Sequence, residues 1–481
     1  MDVAICVSRG YYICFSDVEN AYQQSPPPSI DCYLEVDDTV YDWYLRRFNV
    51  KLDKFKDVIP LYRALQGHPE AGVLWERMIT DILINKMGFK NTTHERNLYV
   101  GTIDGEEVLV CRQVDDFASG SATRETAEAF LDKVREHVRA EFAGMGIELP
   151  DKGVFQRYNG IDVFQTRDYV KLSAESYIDR MLQTHGWDKP STLDSSKIVP
   201  LNPANVTQMM TLKGPPEKTP EAHELAREHG FSYRNILGEL IYAYVICRMD
   251  IGYAVCFLAR FSDAPHEVHY KGLKYVCKYL RATKDWGLMF QRPKPLVDLP
   301  DVPFDWLEDD PSLPSFPEFA RDELVGFLDA AHATELKTRR SVTGFALLYG
   351  YAAIAYKSRV QPVVATSSTE AEFYAAVTCA KAAKYLRYVL QQLDALRPGA
   401  TPLFVDNQAA IAMVNESRPT PRARHIEIQH FAIQEWRNKG DIVLRHCPGV
   451  INLSDDMTKA LGWVLHSRHA RRGMGHYKIP G

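Results

Sequence analysis

Between Gln291 and Asp322 seven prolines stand among acidic residues, in RPKPLVDLPDVPFDWLEDDPSLPSFPEFARD. Each proline fixes φ and removes a backbone N–H, so neither a helix nor a central strand can run through this stretch. The main domain boundary is expected there. It divides a chain of 481 residues, which exceeds one ordinary core and suggests roughly two to four folded units. A second stretch, Lys189 to about His223, is rich in Pro, Ser and Thr without apolar periodicity and reads as a long loop.

Around these breaks the apolar pattern predicts an α/β (α+β) multidomain fold. Helices are expected over AGVLWERMITDILINKMGF and TRETAEAFLDKVREHVRAEF. Between them GEEVLVCRQVDDFASGSA reads as apolar strand, acidic turn and second strand, a β-hairpin. Helical spacing returns in FSYRNILGELIYAYVICRMDIGYAVCFLARF and HYKGLKYVCKYLRATKDW. Beyond the prolines, ELVGFLDA, VTGFALLYG and AAIAYKSR predict three successive strands. A helix from about Ser368 to Leu393 follows, with Ser and Thr caps and acids in its first turn. A strand PLFVDN, a helix, the helix HIEIQHFAIQEWRNKG and a strand DIVLRHCP complete a mixed α/β unit.

Composition bounds the function class. Hydrophobic residues at 46% and charged residues at 25% are those of a folding globular chain. Nine cysteines, odd in number and without CxxC spacing, argue against a disulfide framework or structural zinc and favour a reducing compartment. No run of about 18 apolar residues appears, and the N-terminus lacks a basic region followed by a long apolar core. A soluble, untargeted protein with no membrane partner is expected. A formal charge of −5 counts mildly against nucleic-acid binding, unless acids are segregated from a basic groove.

Two sets of acids stand at strand ends and turns, where carboxylates can converge on hard cations as two-metal phosphoryl transfer requires. The first is Asp17 in YYICFSDVENAY with Asp115 and Asp116 in RQVDDF. Alone, an acidic pair in a turn is ordinary turn chemistry. The second is Asp329 in GFLDA, Glu372 in STEAEF, Asp406 in FVDN and Asp455 in NLSDD. Taken singly these read as caps or solvated acids, Asp406 above all, since it stands just before a helix.

The surrounding text resembles the reverse transcriptase of copia-type retrotransposons: DVENAY, LYRALQGHPEAGVLWERM, GFKNTTHERNLYV, VDD, FQRYNGIDV and KLSAESYIDRMLQTHGW, continuing into YRNILGELIYAYVICRMDIGYAVCFLARF and its sequel. From about Leu324 to Leu461 it resembles the RNase H of the same elements, through RRSVTGFALLYG, SSTEAEFYAAVTCAKAAKYLR, VDNQAAIAMVNE and DDMTKAL. The resemblance implies a palm fragment over 1–190, a thumb- or connection-like helical region over 191–290, a linker over 291–322, an RNase H-like mixed sheet over 323–464 and a tail over 465–481. It implies that Asp17, Asp115 and Asp116 bind the ions of DNA synthesis, and that Tyr22 obstructs a ribose 2′-hydroxyl. A half-buried structural aromatic is the alternative for Tyr22.

The same resemblance gives Asp329, Glu372, Asp406 and Asp455 the ions of RNA hydrolysis, with Glu372 favoured over Glu370. His425 and His430 stay outside the set as structural histidines. The implied cofactor is Mg2+, two per active site, with Mn2+ as substitute. The implied partners are RNA template, DNA primer, deoxynucleoside triphosphates, RNA–DNA hybrid and other parts of the polyprotein. The location would be cytoplasmic, in a virus-like particle for an active element, with the nucleus as the alternative.

The pattern also departs from the family. Sixteen residues precede Asp17, so most of the fingers are expected to be missing and the polymerase impaired. Gln113 stands where an aromatic usually opens the YVDD motif, Glu70 where Gln is common, and Ala331 and His332 where an acid and an aromatic often follow the first nuclease aspartate. The competing expectation is a noncatalytic relic that binds nucleic acid.

Overall fold

The structure is a computed structural model and describes residues 1–18, 20–35, 37–53, 56–141, 155–189, 197–308, 310–415 and 427–479. The chain forms two compact units, Tyr12–Lys152 and, separately, Met1–Tyr11 together with Gly153–Gly481.

In Tyr12–Lys152 a five-stranded antiparallel sheet runs in the order Tyr12–Asp17, Asp116–Ser121, Glu106–Gln113, Leu98–Ile103, Lys90–Asn91. The expected hairpin is Glu106–Gln113 and Asp116–Ser121, turning at Val114 and Asp115. Helices Ala71–Asp81 and Arg124–Glu141 place Trp75, Ile79, Phe130, Val134 and Val138 in one core with Phe117, Val108 and Val110 of the sheet. The first helix continues as a π-turn to Lys86 and ends before Gly88, whose φ of 74° suits a residue without Cβ.

In the other unit, strands Phe155–Tyr158, Ile161–Gln165, Tyr169–Ser173 and Gly287–Gln291 form an antiparallel sheet. Helices Tyr233–Ile246, Gly252–Ala259 and Glu267–Ala282 accompany it. The helical region expected over 231–261 divides at 247–251, where Arg248 and Asp250 turn inward as a fully buried pair, Nη2 to Oδ2 2.6 Å. The stretch read as a loop at 189–223 contains the short helix Val206–Thr211 and the start of Pro220–His229, the latter capped by Thr219 accepting from Ala222 N. These pieces bury little, and Met209 is the buried residue of the first, so apolar periodicity had nothing to report.

The unit's second sheet is mixed, in the order Ala352–Val360, Val342–Tyr349, Val325–Ala331, Thr401–Val405, Ile442–His446. The first three strands form an antiparallel meander, and the last two run parallel to Val325–Ala331. Helix Ser368–Gln392 connects the meander to the parallel strands and lays Ala371, Ala375, Ala376, Cys379 and Ala383 into the core. Its close approach requires Gly326, where a Cβ would stand 2.6 Å from Leu403 Cδ2 and 3.2 Å from Cys379 Sγ.

The proline-rich stretch lies inside this unit, away from the division between the two units. Proline does end regular structure, since no helix or longer strand lies between Gln291 and Val325 among the described residues. The segment is nevertheless anchored: Phe304 and Trp306 stand edge-on to Tyr169, and Leu307 N donates to His476 O at 2.7 Å. Where a tail was expected at 465–481, Trp463–Gly473 is a helix that buries His466, His469, Ala470 and Arg472. Its buried face is histidine and arginine rather than leucine, which is why it reads as a polar tail. Among the described residues no helix is long and apolar enough to cross a membrane.

Candidate nuclease and polymerase sites

The mixed sheet brings three of the four expected nuclease acids together. Asp329 lies on the central strand, level with Gly344 of the meander. On its other side the register pairs Phe327 with Phe404, so two residues further on Asp329 and Asp406 stand side by side. Glu372 comes from the first turns of the Ser368–Gln392 helix. One carboxylate oxygen from each of Asp329, Glu372 and Asp406 lies within 4.8 Å of the others, a spacing that could hold a metal ion. Asp455, in the turn Leu453–Met457, sits beside this triad, where the charge of Asp329 acts on it. The cluster floors an open concavity of about 620 Å³ lined also by Asn407, Gln408, His446 and Lys459.

Neighbouring groups free these acids for one another. Asn407, rather than Asp406, caps the next helix by accepting from Ala410 N at 3.1 Å. Glu370 is engaged at the helix start, where its Oε2 accepts from Thr366 N at 2.7 Å and Thr366 Oγ1 at 2.6 Å. Glu372 is therefore the glutamate in the cluster. Thr458 Oγ1 donates to Asp329 Oδ2, and Lys459 Nζ lies 3.0 Å from Asp455 Oδ1 and 3.6 Å from Asp329 Oδ2. Sequence reading missed these two, although they stand three and four residues past Asp455, one helical turn on. His425 lies outside the described residues, and His430 is buried near Phe373.

Glu372 is only 5% exposed. Burial, and then the charges of Asp329 and Asp406, push its carboxyl up to about 10. Burial, then Asp329, raises Asp406 as well, and burial with Asp329 lifts Asp455 to about 7 against the opposing pull of Lys459. Glu372 Oε2 is buried with no protein partner. An orphaned carboxylate oxygen facing two further carboxylates fits a hard, oxygen-liking cation such as Mg2+.

The three acids expected to serve DNA synthesis come together in the backbone at the hairpin. Asp17 pairs with Asp116 in the strand register, and Val18 N donates to Asp115 O at 3.0 Å. Val114 holds φ at 58°, a strained position for a β-branched residue. Its carbonyl is pinned by Trp75 Nε1 at 2.7 Å and Arg112 Nη1 at 3.1 Å. Arg112, fully buried, pairs with Glu76 at 2.5 Å. Neither Trp75, Arg112 nor Glu76 was singled out from sequence, because the first two donate to a backbone carbonyl and Glu76 acts only through Arg112. Tyr22 is half-buried against the core of this unit. Glu70 precedes the Ala71–Asp81 helix and accepts from Ser29 N and Ser29 Oγ, which holds its carboxyl below the usual range.

The two units thus carry an antiparallel sheet with acids at its hairpin and a mixed sheet with a carboxylate triad. The sequence pattern described as reverse transcriptase (RNA-dependent DNA polymerase) matches residues 2–196. The chain is 27% identical over 318 residues, 65% of its length, to the retrovirus-related Pol polyprotein from transposon TNT 1-94 of Nicotiana tabacum. It is 23% identical over 485 residues, 99% of its length, to that from transposon RE2 of Arabidopsis thaliana. The chain spans 21% and 28% of those two relatives. Among solved structures it is similar to LC11-RNase H1 isolated from compost, at 12% identity and a TM-score of 0.22, covering 28% of this chain and 93% of that one. The matched pattern and these relatives support a copia-type retrotransposon Pol.

Proposed function

We propose that the Gly153–Gly481 unit hydrolyses the RNA strand of RNA–DNA hybrids. The observation that carries this reading is the triad Asp329, Glu372 and Asp406, drawn from three elements, with an unpartnered buried oxygen on Glu372. The triad would hold one divalent ion and Asp329 with Asp455 a second, Mg2+ or Mn2+, supplying charge neutralisation at the scissile phosphate and a more acidic water. The chain's own residues prepare that site. Asp329 is common to both positions and is oriented by Thr458. Lys459 holds Asp455 in place, and His446 stands on the open side beside Asp406.

In the Tyr12–Lys152 unit we assign Asp17, Asp115 and Asp116 to the ions of DNA synthesis and Tyr22 to the ribose of an incoming deoxynucleoside triphosphate. The pinned Val114 turn supports this assignment, because a strained backbone held by a buried arginine is a feature of sites that must keep one geometry. RNA template and DNA primer are the partners, residues 191–290 act as thumb and connection, and other polyprotein segments join them in a cytoplasmic particle.

The test is cleavage of a labelled RNA–DNA hybrid by the purified chain with Mg2+, against EDTA and against Asp406→Asn. Cleavage lost in both controls is the expected result. An intact hybrid after incubation with well-folded protein would replace the enzyme with a relic that binds nucleic acid without turnover.

A further inference from the structure

From the helical region to the nuclease turn runs an unbroken line of buried polar groups. Arg248 donates through Nε to Asp250 Oδ1 at 3.0 Å and through Nη2 to Oδ2 at 2.6 Å, and it also donates to Thr283 O and Oγ1 at 3.0 and 2.6 Å. The Tyr279 hydroxyl donates to Asp250 Oδ2 at 2.7 Å. With its one proton committed there, its oxygen can accept from His466 Nε2, 2.9 Å away. His466 Nδ1 lies 2.5 Å from Asp456 Oδ1. All six side chains are at most 3% exposed. Asp456 is the immediate neighbour of Asp455 in the turn Leu453–Met457.

The same turn is gripped a second time from the helical region. A Cβ on Gly252 would stand 3.2 Å from Met457 Sδ, so helix Gly252–Ala259 approaches the turn as closely as glycine permits. On its other side the turn lies against the meander, where a Cβ on Gly344 would meet Met457 Cβ and Thr458 Cγ2, each at 2.6 Å. The turn that carries Asp455 is thus seated partly on residues more than 170 positions earlier, which take no part in the nuclease sheet.

We infer that Tyr279 and His466 are positioning residues of the nuclease site, fixing the Asp455 turn through Asp456 from the Arg248–Asp250 pair. This rests on the nuclease reading above. A buried polar chain has few alternative arrangements, since each member that loses its partner is left unsatisfied in a low-dielectric interior. The line therefore holds the turn in one register rather than merely adding contacts. It also makes the helical region and the Trp463–Gly473 helix integral parts of the nuclease.

The experiment compares the full chain with Tyr279→Phe and His466→Gln, the latter able to bond one neighbour but not both. Tyr233→Phe is the control. It removes a buried hydroxyl of the same helical region, one that donates to Leu258 O at 2.8 Å and does not reach the turn. Mn2+ affinity without nucleic acid, hydrogen exchange of amides 453–458 and hybrid cleavage are measured well below each unfolding midpoint. Loss of an outer partner of a metal ligand typically costs about 10–100-fold in affinity or activity. Both test variants are expected to weaken Mn2+ at least about tenfold, to speed exchange in the turn, and to lower kcat with KM for hybrid kept, while Tyr233→Phe does none of these. Mn2+ affinity and turn exchange in Tyr279→Phe equal to those of Tyr233→Phe would overturn the inference and leave the nuclease reading standing. If the unmodified chain binds no Mn2+, or binds it equally after Asp406→Asn, the nuclease reading fails and this inference with it.

Discussion

Replacing Glu372 with Gln should stabilise the metal-free protein while abolishing hybrid cleavage. Glu372 is buried, faces Asp329 and Asp406, and has its carboxyl pushed up to about 10 from an ordinary 4.5. A raised carboxyl pKa favours the folded state fully below the unfolded value and progressively less as pH climbs toward the folded one, because the unfolded chain sheds its proton first. From pH 4.5 to 7 the folded group stays protonated, so the loss is about 1.4 kcal/mol per pH unit, close to 3 kcal/mol in all. Glutamine imitates the protonated acid and has no proton to lose. In EDTA, urea-unfolding free energies of the two proteins should nearly coincide at pH 4.5 and diverge by about 3 kcal/mol at pH 7, the variant being the more stable. Mg2+ should then stabilise the parent at pH 7 and leave Glu372→Gln little changed, since a ligand stabilises the state that binds it. Parallel pH profiles for the two proteins would refute the claim that this carboxyl is held protonated by burial and its neighbours.

Two further substitutions probe the supports of the two sites. Gly344→Ala should push Met457 and Thr458 out of place, costing about 1–3 kcal/mol by overpacking and most of the hybrid cleavage; a variant with parental kcat and midpoint would show that the turn tolerates the shift. Glu76→Ala should destabilise the Tyr12–Lys152 unit by about 2 kcal/mol, because the buried Arg112 guanidinium loses its charged acceptor. Arg112→Met should cost less, since Glu76 is half-exposed and can return to water, and a double-mutant cycle by urea unfolding would reverse the argument if the order of the two costs were inverted.

Much of this architecture was legible because strand and helix periods are local. The short apolar runs in GFLDA and VTGFALLYG, the Ser367 cap and the VDD hairpin all announce themselves within a few residues. Asp329, Asp406 and Glu372 could be listed from strand ends and a helix start, but that they share a site depends on sheet order, which is set by contacts 40 to 80 residues apart. Sequence reading failed where burial is polar. The break at 247–251 follows from one arginine turning inward toward Asp250, and the 463–473 helix buries histidines that a hydropathy pattern counts as surface. The proline-rich stretch was correctly read as irregular, yet irregular backbone is not the same as a linker. Its half-buried Phe304 and Trp306 pack against Tyr169 and against each other.

The formal charge of −5 counts against the nucleic-acid partner proposed above. Part of that excess lies in one concavity, where Asp329, Glu372 and Asp406, with Asp455 beside them, are answered by Lys459. Such a site does not attract a phosphodiester by itself. Keeping Glu372 protonated limits the repulsion at rest, and a divalent cation would both ionise that carboxyl and reverse the local sign. In the nuclease reading, cation and hybrid must therefore strengthen each other's binding by the same factor, since linkage between two binding sites is reciprocal. The acidity that argues against nucleic-acid binding at the level of composition is, at the level of the site, what makes that binding conditional on the metal.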